Sequence, residues 1–288
     1  MKTVQRLMAL ALFFLSFTAL CETSTLVHSL DQIPSTFKSK EGLAKFQEQI
    51  NGDPLPDGFG TTLPAGLSAK TIVELVAPSE NASSAWLVGV KPWSYRPNSF
   101  IAIVIFSADT VYLAMLEYQE NKIPAKVIAN YGKPLDIVGN TVNWDNIDLG
   151  LDGNLPDNPD VMTYSRFDFA PFKISENQTA FGMRVNWFNA YSGGGADFQA
   201  LMLFVANGDC IINILFEPIY YFSDIAGNWH DDGTRDHNLS EGENIVIMLP
   251  HKTNGYYDLQ LKTVGSKQKQ VFFWSDEKKR YLPSGLKP

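Results

Sequence analysis

The run Phe198-Gln-Ala-Leu-Met-Leu-Phe204, the pair Asn207-Gly208 and the run Cys210-Ile-Ile-Asn-Ile-Leu215 decide the fold class. Both runs have strand length and are rich in β-branched or aromatic residues. Asn-Gly between two apolar runs signals a hairpin, because both residues tolerate positive φ. The same design stands upstream. Trp86-Leu-Val-Gly-Val90 leads to Phe100-Ile-Ala-Ile-Val-Ile-Phe106, and a tight turn at Asp109-Thr110 leads to Val111-Tyr-Leu-Ala-Met-Leu116. Ala180-Phe-Gly-Met-Arg-Val185 precedes the deciding hairpin, with a loop between. Ile245-Val-Ile-Met248, Tyr257-Asp-Leu-Gln-Leu261 and Val271-Phe-Phe-Trp274 follow it. The chain therefore reads as all-β and mainly antiparallel over residues 81–288. The pattern leaves two architectures open, an irregular β-propeller-like array and a β-sandwich.

Composition agrees with a folded core. Of the 288 residues 45% are hydrophobic and 19% charged, so disorder is excluded. Asp plus Glu exceed Lys plus Arg by 31 to 23, a net charge of −8, which argues against a nucleic-acid partner. Two cysteines exclude a disulfide scaffold and a zinc ribbon.

Residues 1–21 read as a signal peptide. Lys2 and Arg6 precede an uncharged apolar run, Leu7 to Leu20, and Ala19-Leu20-Cys21 sets small residues at the −3 and −1 positions of a cut before Glu22. A transmembrane segment needs about 20 apolar residues, and neither this run nor any later one reaches that length. Cys21 also invites lipidation, although Leu20 before it is bulky for such a site. Cleavage removes both basic residues of the leader and no acid, leaving Cys210 as the remaining cysteine. The expected location is the periplasm or the secreted fraction.

Residues 22–80 read as an N-terminal arm with a short helical segment. Leu43, Phe46 and Ile50 suit one amphipathic helix between Ser39 and Ile50. Asn51 to Gly66 is a Pro- and Gly-rich loop, and Leu67 to Val76 fits a second short helix or a strand.

Phe100 aligns with Phe198, Phe106 with Phe204, and Ala108-Asp109 with Ala206-Asn207, which suggests duplicated units over about 81–135, 165–225 and 240–285. Asn254-Gly255-Tyr-Tyr-Asp258-Leu259-Gln-Leu261, followed by Val271-Phe-Phe-Trp274 and Lys279-Arg280-Tyr281, resembles the final unit of uncharacterised secreted bacterial β-rich proteins with repeats similar to the FG-GAP and VCBS types. Phe167-Asp-Phe-Ala-Pro-Phe172 onward to Phe204 resembles the same group. The chain lacks the compact Asp-x-Asp-x-Asp-Gly loop of the calcium-binding form of that repeat. The resemblance implies an extracytoplasmic β protein and little about activity.

Five features carry candidate chemistry. Asp145, Asp148, Asp152, Asp157 and Asp160 share one Gly- and Asn-rich loop, and Asp148, Asp152, Asp157 and Asp160 are the candidate ligands for calcium. A solvated acidic loop is the alternative. His230-Asp231-Asp232-Gly233-Thr234-Arg235-Asp236-His237 holds metal-ligating types, but its two histidines lie seven apart around a glycine, so it reads first as a polar surface loop. Ala190-Tyr191-Ser192-Gly193-Gly194-Gly195 resembles a nucleophile elbow, yet a strand rather than a helix follows it. Cys210 opens an Ile-rich strand and reads as a buried, inert thiol. Trp93, Tyr95, Trp187 and Tyr191 are the candidate partner-binding aromatics, expected at strand ends and in adjoining loops.

No phosphate loop, dinucleotide fingerprint or zinc spacing occurs. The reading that follows is a soluble exported binding protein, possible partners being a protein or a glycan, as for an immunity or inhibitor protein. The alternative is a secreted hydrolase using Asp or His from the 145–160 and 230–237 loops, with or without a metal.

Overall fold

The computed structural model of the protein describes residues 25–40, 42–44, 57–119, 123–135, 142–143, 163–191 and 193–285. The leader and the acidic loop that contains Asp148, Asp152, Asp157 and Asp160 lie outside the described residues. The fold is all-β. Among the described residues, thirteen strands form one open, mixed sheet. In chain order they are β1 (Thr25–Val27), β2 (Leu87–Pro92), β3 (Ser99–Ser107), β4 (Thr110–Gln119), β5 (Ile123–Asn130), β6 (Thr163–Lys173), β7 (Thr179–Tyr191), β8 (Gly194–Asn207), β9 (Cys210–Trp229), β10 (Arg235–Thr253), β11 (Tyr256–Thr263), β12 (Lys269–Ser275) and β13 (Arg280–Pro283).

Pairing is antiparallel throughout, except for one parallel bridge between Asn130 and Cys210 that joins the β2–β5 meander to β9. Folded at that narrow bridge, the sheet stacks on itself. Ile101, Ile103, Leu113 and Met115 from one meander meet Phe181, Met183, Phe198, Met202 and Phe204 from the other in one buried cluster. Of the two architectures that the sequence leaves open, this face-to-face stacking is the sandwich type.

β8 explains why the layers hold. Ala200, Met202 and Phe204 point into the cluster shared with β3 and β4, while Leu201, Leu203 and Val205 point into a second cluster with Leu259, Leu261, Phe272 and Trp274 of β11 and β12. All six are buried. A strand covered on both faces shows no polar alternation, and the run Ala200 to Val205 shows none. The β3–β4 hairpin is covered twice in the same way. Its outer face, with Ala102, Val104, Ala114 and Leu116, is closed by Ile72, Val73 and Val76 of helix α2 (Ala69–Val76). Ser68 caps α2 by accepting the Thr71 N–H at 3.1 Å.

The residue correspondence between the two sequence blocks does not extend to the packing. Phe198 and Phe204 lie in the inter-sheet cluster, whereas Phe100 and Phe106 pack on the α2 side of their hairpin. The deciding turn also differs in detail from its sequence reading. Asn207 pairs with Cys210, so the turn residues are Gly208 and Asp209, with φ +66 at Gly208. The Asn-Gly turn with both φ positive is Asn254-Gly255, between β10 and β11.

β9 and β10 run 20 and 19 residues, far longer than the core they cover. β9 absorbs two bulges, at the register shifts opposite Leu203/Phe204 and Gln199/Ala200, and Pro218 sits at the second, where a missing N–H costs no ladder bond. β10 changes partner from β9 to β11 between Glu243 and Asn244. Asn244 marks this switch. Its amide donates to the Pro218 carbonyl at 3.0 Å and accepts from the Thr263 hydroxyl at 2.8 Å. Beyond the switch, the outer halves of β9 and β10 run out past the stacked core.

The N-terminal segment covers one face of that overhang. β1 pairs with β10, and α1 (Ile33–Thr36) packs Ile33 with Val27 and Leu239. Glu241 anchors the segment. Its carboxylate accepts the backbone N–H groups of Lys38 at 2.9 Å and Ser39 at 3.3 Å, and also the Ser39 hydroxyl.

Leu203→Ala will empty a site buried on every side and lower stability by about 2–5 kcal/mol in urea unfolding. The same change at exposed Leu26 will cost no more than about 0.5 kcal/mol.

Candidate functional site

The aromatics singled out in the sequence divide by burial. Trp93 and Trp187 both lie inside the inter-sheet cluster, with Trp187 stacked on Phe198 at 5.2 Å between ring centroids and Trp93 edge-on to Phe181 at 5.9 Å. They pack the core and present no indole face to a partner. Tyr95 is exposed and meets Trp93 edge-on at 6.1 Å. Tyr191 ends β7, opposite Gly194. The stretch from Trp187 to Tyr191 is not a loop. The β7–β8 ladder continues from Trp187–Phe198 out to Tyr191–Gly194. Alternation along it places Trp187 in the core and leaves its neighbour Phe188 exposed on the other face. The elbow context fails as the sequence predicts, because the glycines lead straight into β8, which begins at Gly194.

Cys210 is exposed, which corrects its reading as a buried thiol. It lies at the turn end of β9, where the strand leaves the core. The Asp209 carboxylate beside it pushes the thiol pKa up, by accepting its hydrogen bond and by its charge.

Exposed apolar side chains are instead concentrated at one end of the sheet, on both of its faces. Among the described residues eight large ones stand exposed, and four of them, Leu26, Phe188, Ile225 and Trp229, belong to the overhanging end of the sheet. Register explains part of the grouping. Leu26, Asn238, Ile225 and Gly194 lie side by side across β1, β10, β9 and β8, so Leu26 and Ile225 share one face. Phe188 lies opposite Asp197 and, through it, Phe222, three positions from Tyr191 and Ile225, so it stands on the other face, where it reaches over Gly195; a Cβ there would come within 2.5 Å of its ring. Trp229, 69% exposed, is overlaid by the Arg235 guanidinium at 5.2 Å from the ring centroid. The same guanidinium donates to the Gly227 carbonyl at 3.0 Å.

At the tip of this overhang lies a polar cluster that the sequence reading reached only in part. β1 runs antiparallel to β10 with Val27 opposite His237, so His28 falls next to Asp236. The His28 Nδ1 is 2.8 Å from Asp236 Oδ1. The β9–β10 turn brings His230 Nε2 to the same oxygen, at 2.6 Å. The two imidazoles meet edge-on, 5.5 Å apart. His237, the other histidine of the segment, points to the opposite face and pairs with Asp224 at 2.8 Å. The sequence thus marked His230 and Asp236. It missed His28, which lies 208 positions from Asp236 and joins them only through β1 pairing.

These contacts hold the Asp236 carboxyl below its ordinary pKa of 3.8, first through the His230 hydrogen bond and then through that from His28, with desolvation opposing. Both imidazole nitrogens and the carboxylate oxygen are metal-ligand types. Among the described residues this is the group of three that comes together within ligand range.

No family model, no curated protein and no solved structure matches the chain. Among the described residues no helix is long and apolar enough to cross a membrane.

The Asp236 carboxyl, followed by NMR titration, will ionise below pH 3.8, and His230→Ala will move it up toward 3.8. Because its folded-state pKa is depressed, its contribution to stability is full above pH 3.8 and is lost as pH falls through the folded-state value.

Proposed function

We propose that the chain is an exported protein-binding module whose recognition surface is the overhanging end of β8, β9 and β10. The single observation that carries this reading is that exposed apolar side chains crowd this end of the sheet, Leu26 and Ile225 on one face and Phe188 on the other, with Arg235 laid over exposed Trp229. Trp and Arg are the residue types in which binding energy concentrates. An apolar grouping on a rigid sheet loses little conformational freedom on binding. The net charge of −8 favours a basic partner through electrostatic steering. A protein partner, as for an inhibitor or immunity protein, fits this surface better than a glycan, because the grouping mixes aliphatic and aromatic side chains. Export rests on the sequence of residues 1–21.

A hydrolase is the second reading. The convergence of His28 and His230 on Asp236 favours it, because two imidazoles beside one carboxylate offer acid–base and metal chemistry.

Capture from the culture fluid of the source organism tests the first reading. Wild-type protein will retain a saturable partner, and Trp229→Ala will lose it by more than about tenfold, the range expected for a hot-spot residue. Retention by Trp229→Ala together with loss in Trp86→Ala, the other highly exposed tryptophan, would move the surface to the β2–β3 hairpin and overturn the assignment.

A further inference from the structure

We propose that His28, His230 and Asp236 form a binding site for one divalent transition-metal ion of the zinc class. The donors are two imidazole nitrogens and one carboxylate oxygen, a set that suits zinc, cobalt, nickel or iron. Calcium and magnesium demand six or more oxygens and find one residue here to supply them.

The geometry is close to what an ion needs. All three donor atoms lie within 4.8 Å of one another. A tetrahedral ion with bonds of about 2.0–2.1 Å holds its ligand atoms about 3.3 Å apart. The two nitrogens, at 2.8 and 2.6 Å from Asp236 Oδ1, therefore move outward by about 0.5 and about 0.7 Å to admit it. His28 and His230 have 61% and 40% of their side chains exposed, so packing does not resist that movement. Asp236 is the fixed member, at 15%.

The backbone around the donors is held. The His28 N–H donates to Gln32 Oε1 at 3.1 Å. The His230 turn is closed by its own N–H on the Thr234 carbonyl at 2.9 Å and by Gly233 N–H on the His230 carbonyl at 3.0 Å. Asp232 accepts both the N–H and the hydroxyl of Thr234. Gly233 has φ +85, a conformation that side chains rarely adopt. The turn that presents His230 is thus specified independently of any ion.

Three protein ligands leave at least one coordination position for water or for a group brought by a partner. Because His28 follows β1, His230 lies in the β9–β10 turn and Asp236 belongs to β10, a bound ion also crosslinks the N-terminal strand to the tip of the overhang. An ion that binds the folded chain alone raises its stability by mass action. The site adjoins the recognition surface at the tip of the same overhang but uses none of its apolar side chains, so its failure would leave the protein-binding reading in place.

Calorimetric titration of the purified protein with zinc chloride, and visible absorption on titration with cobalt(II), test the site. One ion per chain is expected, with tetrahedral cobalt bands and no thiolate charge-transfer band, which separates this site from exposed Cys210. His230→Ala and Asp236→Asn will each weaken binding by more than about tenfold, as loss of a ligand does at least as much as loss of its supporting partner. Asp236→Asn keeps the residue's shape and one acceptor oxygen, enough for the two imidazoles that share Oδ1, and so serves as the second variant if His230→Ala proves unstable. His251→Ala, which alters the exposed imidazole paired with Asp258, will bind as wild type does. Absence of saturable binding, or equal binding by wild type and Asp236→Asn, would overturn the proposal.

Discussion

Everything in this fold depends on β8 being covered on both faces. Six consecutive apolar residues, Ala200 to Val205, are all buried, three on each side of the strand. A strand with no polar face must find two apolar partners or leave one face in water. Burying apolar area stabilises by roughly 25 cal/mol per Å², so both faces are closed. The β3–β4 hairpin lies on one side and the β11–β12 pair on the other. The layer order, with α2 beyond β3 and β4, follows from that requirement and from the same two-sided apolar run in Ile101 to Val104.

The same requirement produces the overhang. β9 and β10 must reach from the inter-sheet cluster to the β11–β12 layer, and they are longer than either layer. Where the core ends, their outer halves need another cover. The N-terminal segment supplies it on one face, through Val27, Ile33 and Phe37 against Leu239 and Phe222, with Glu241 holding the Lys38 and Ser39 amides. The other face keeps Leu26 and Ile225 exposed. The histidine–aspartate cluster sits where β1 runs out along β10. A long-range strand pairing thus creates both the exposed surface and the three-residue donor set.

The fold class was legible because apolar runs of strand length between turn residues have a local cause. The helix at Ala69–Val76 was legible as an apolar segment, but its type was settled by the Ser68 cap and by the β3–β4 face it closes. The surface was less legible. Trp187 and Phe188 are neighbours of similar chemistry, and only the register of β7 against β8 decides which one enters the core. Asn207-Gly208 carried the hairpin signal, yet the ladder shifts the turn by one residue, to Gly208-Asp209. Cys210 looked buried because an Ile-rich strand follows it, but the core begins one residue later, at Ile211. His28 was invisible as a site residue because nothing near it in sequence is a ligand, and β1 is only three residues long.

Native-state hydrogen exchange along β8 and β9 tests the central claim, that two-sided burial of β8 organises the molecule. Amides from Ala200 to Val205 should exchange only through global unfolding, with protection equal to the full stability of the protein. Those from Ile225 to Trp229, in the overhang, should exchange through smaller openings. Equal protection of the two segments, or faster exchange in β8 than in the overhang, would contradict the account.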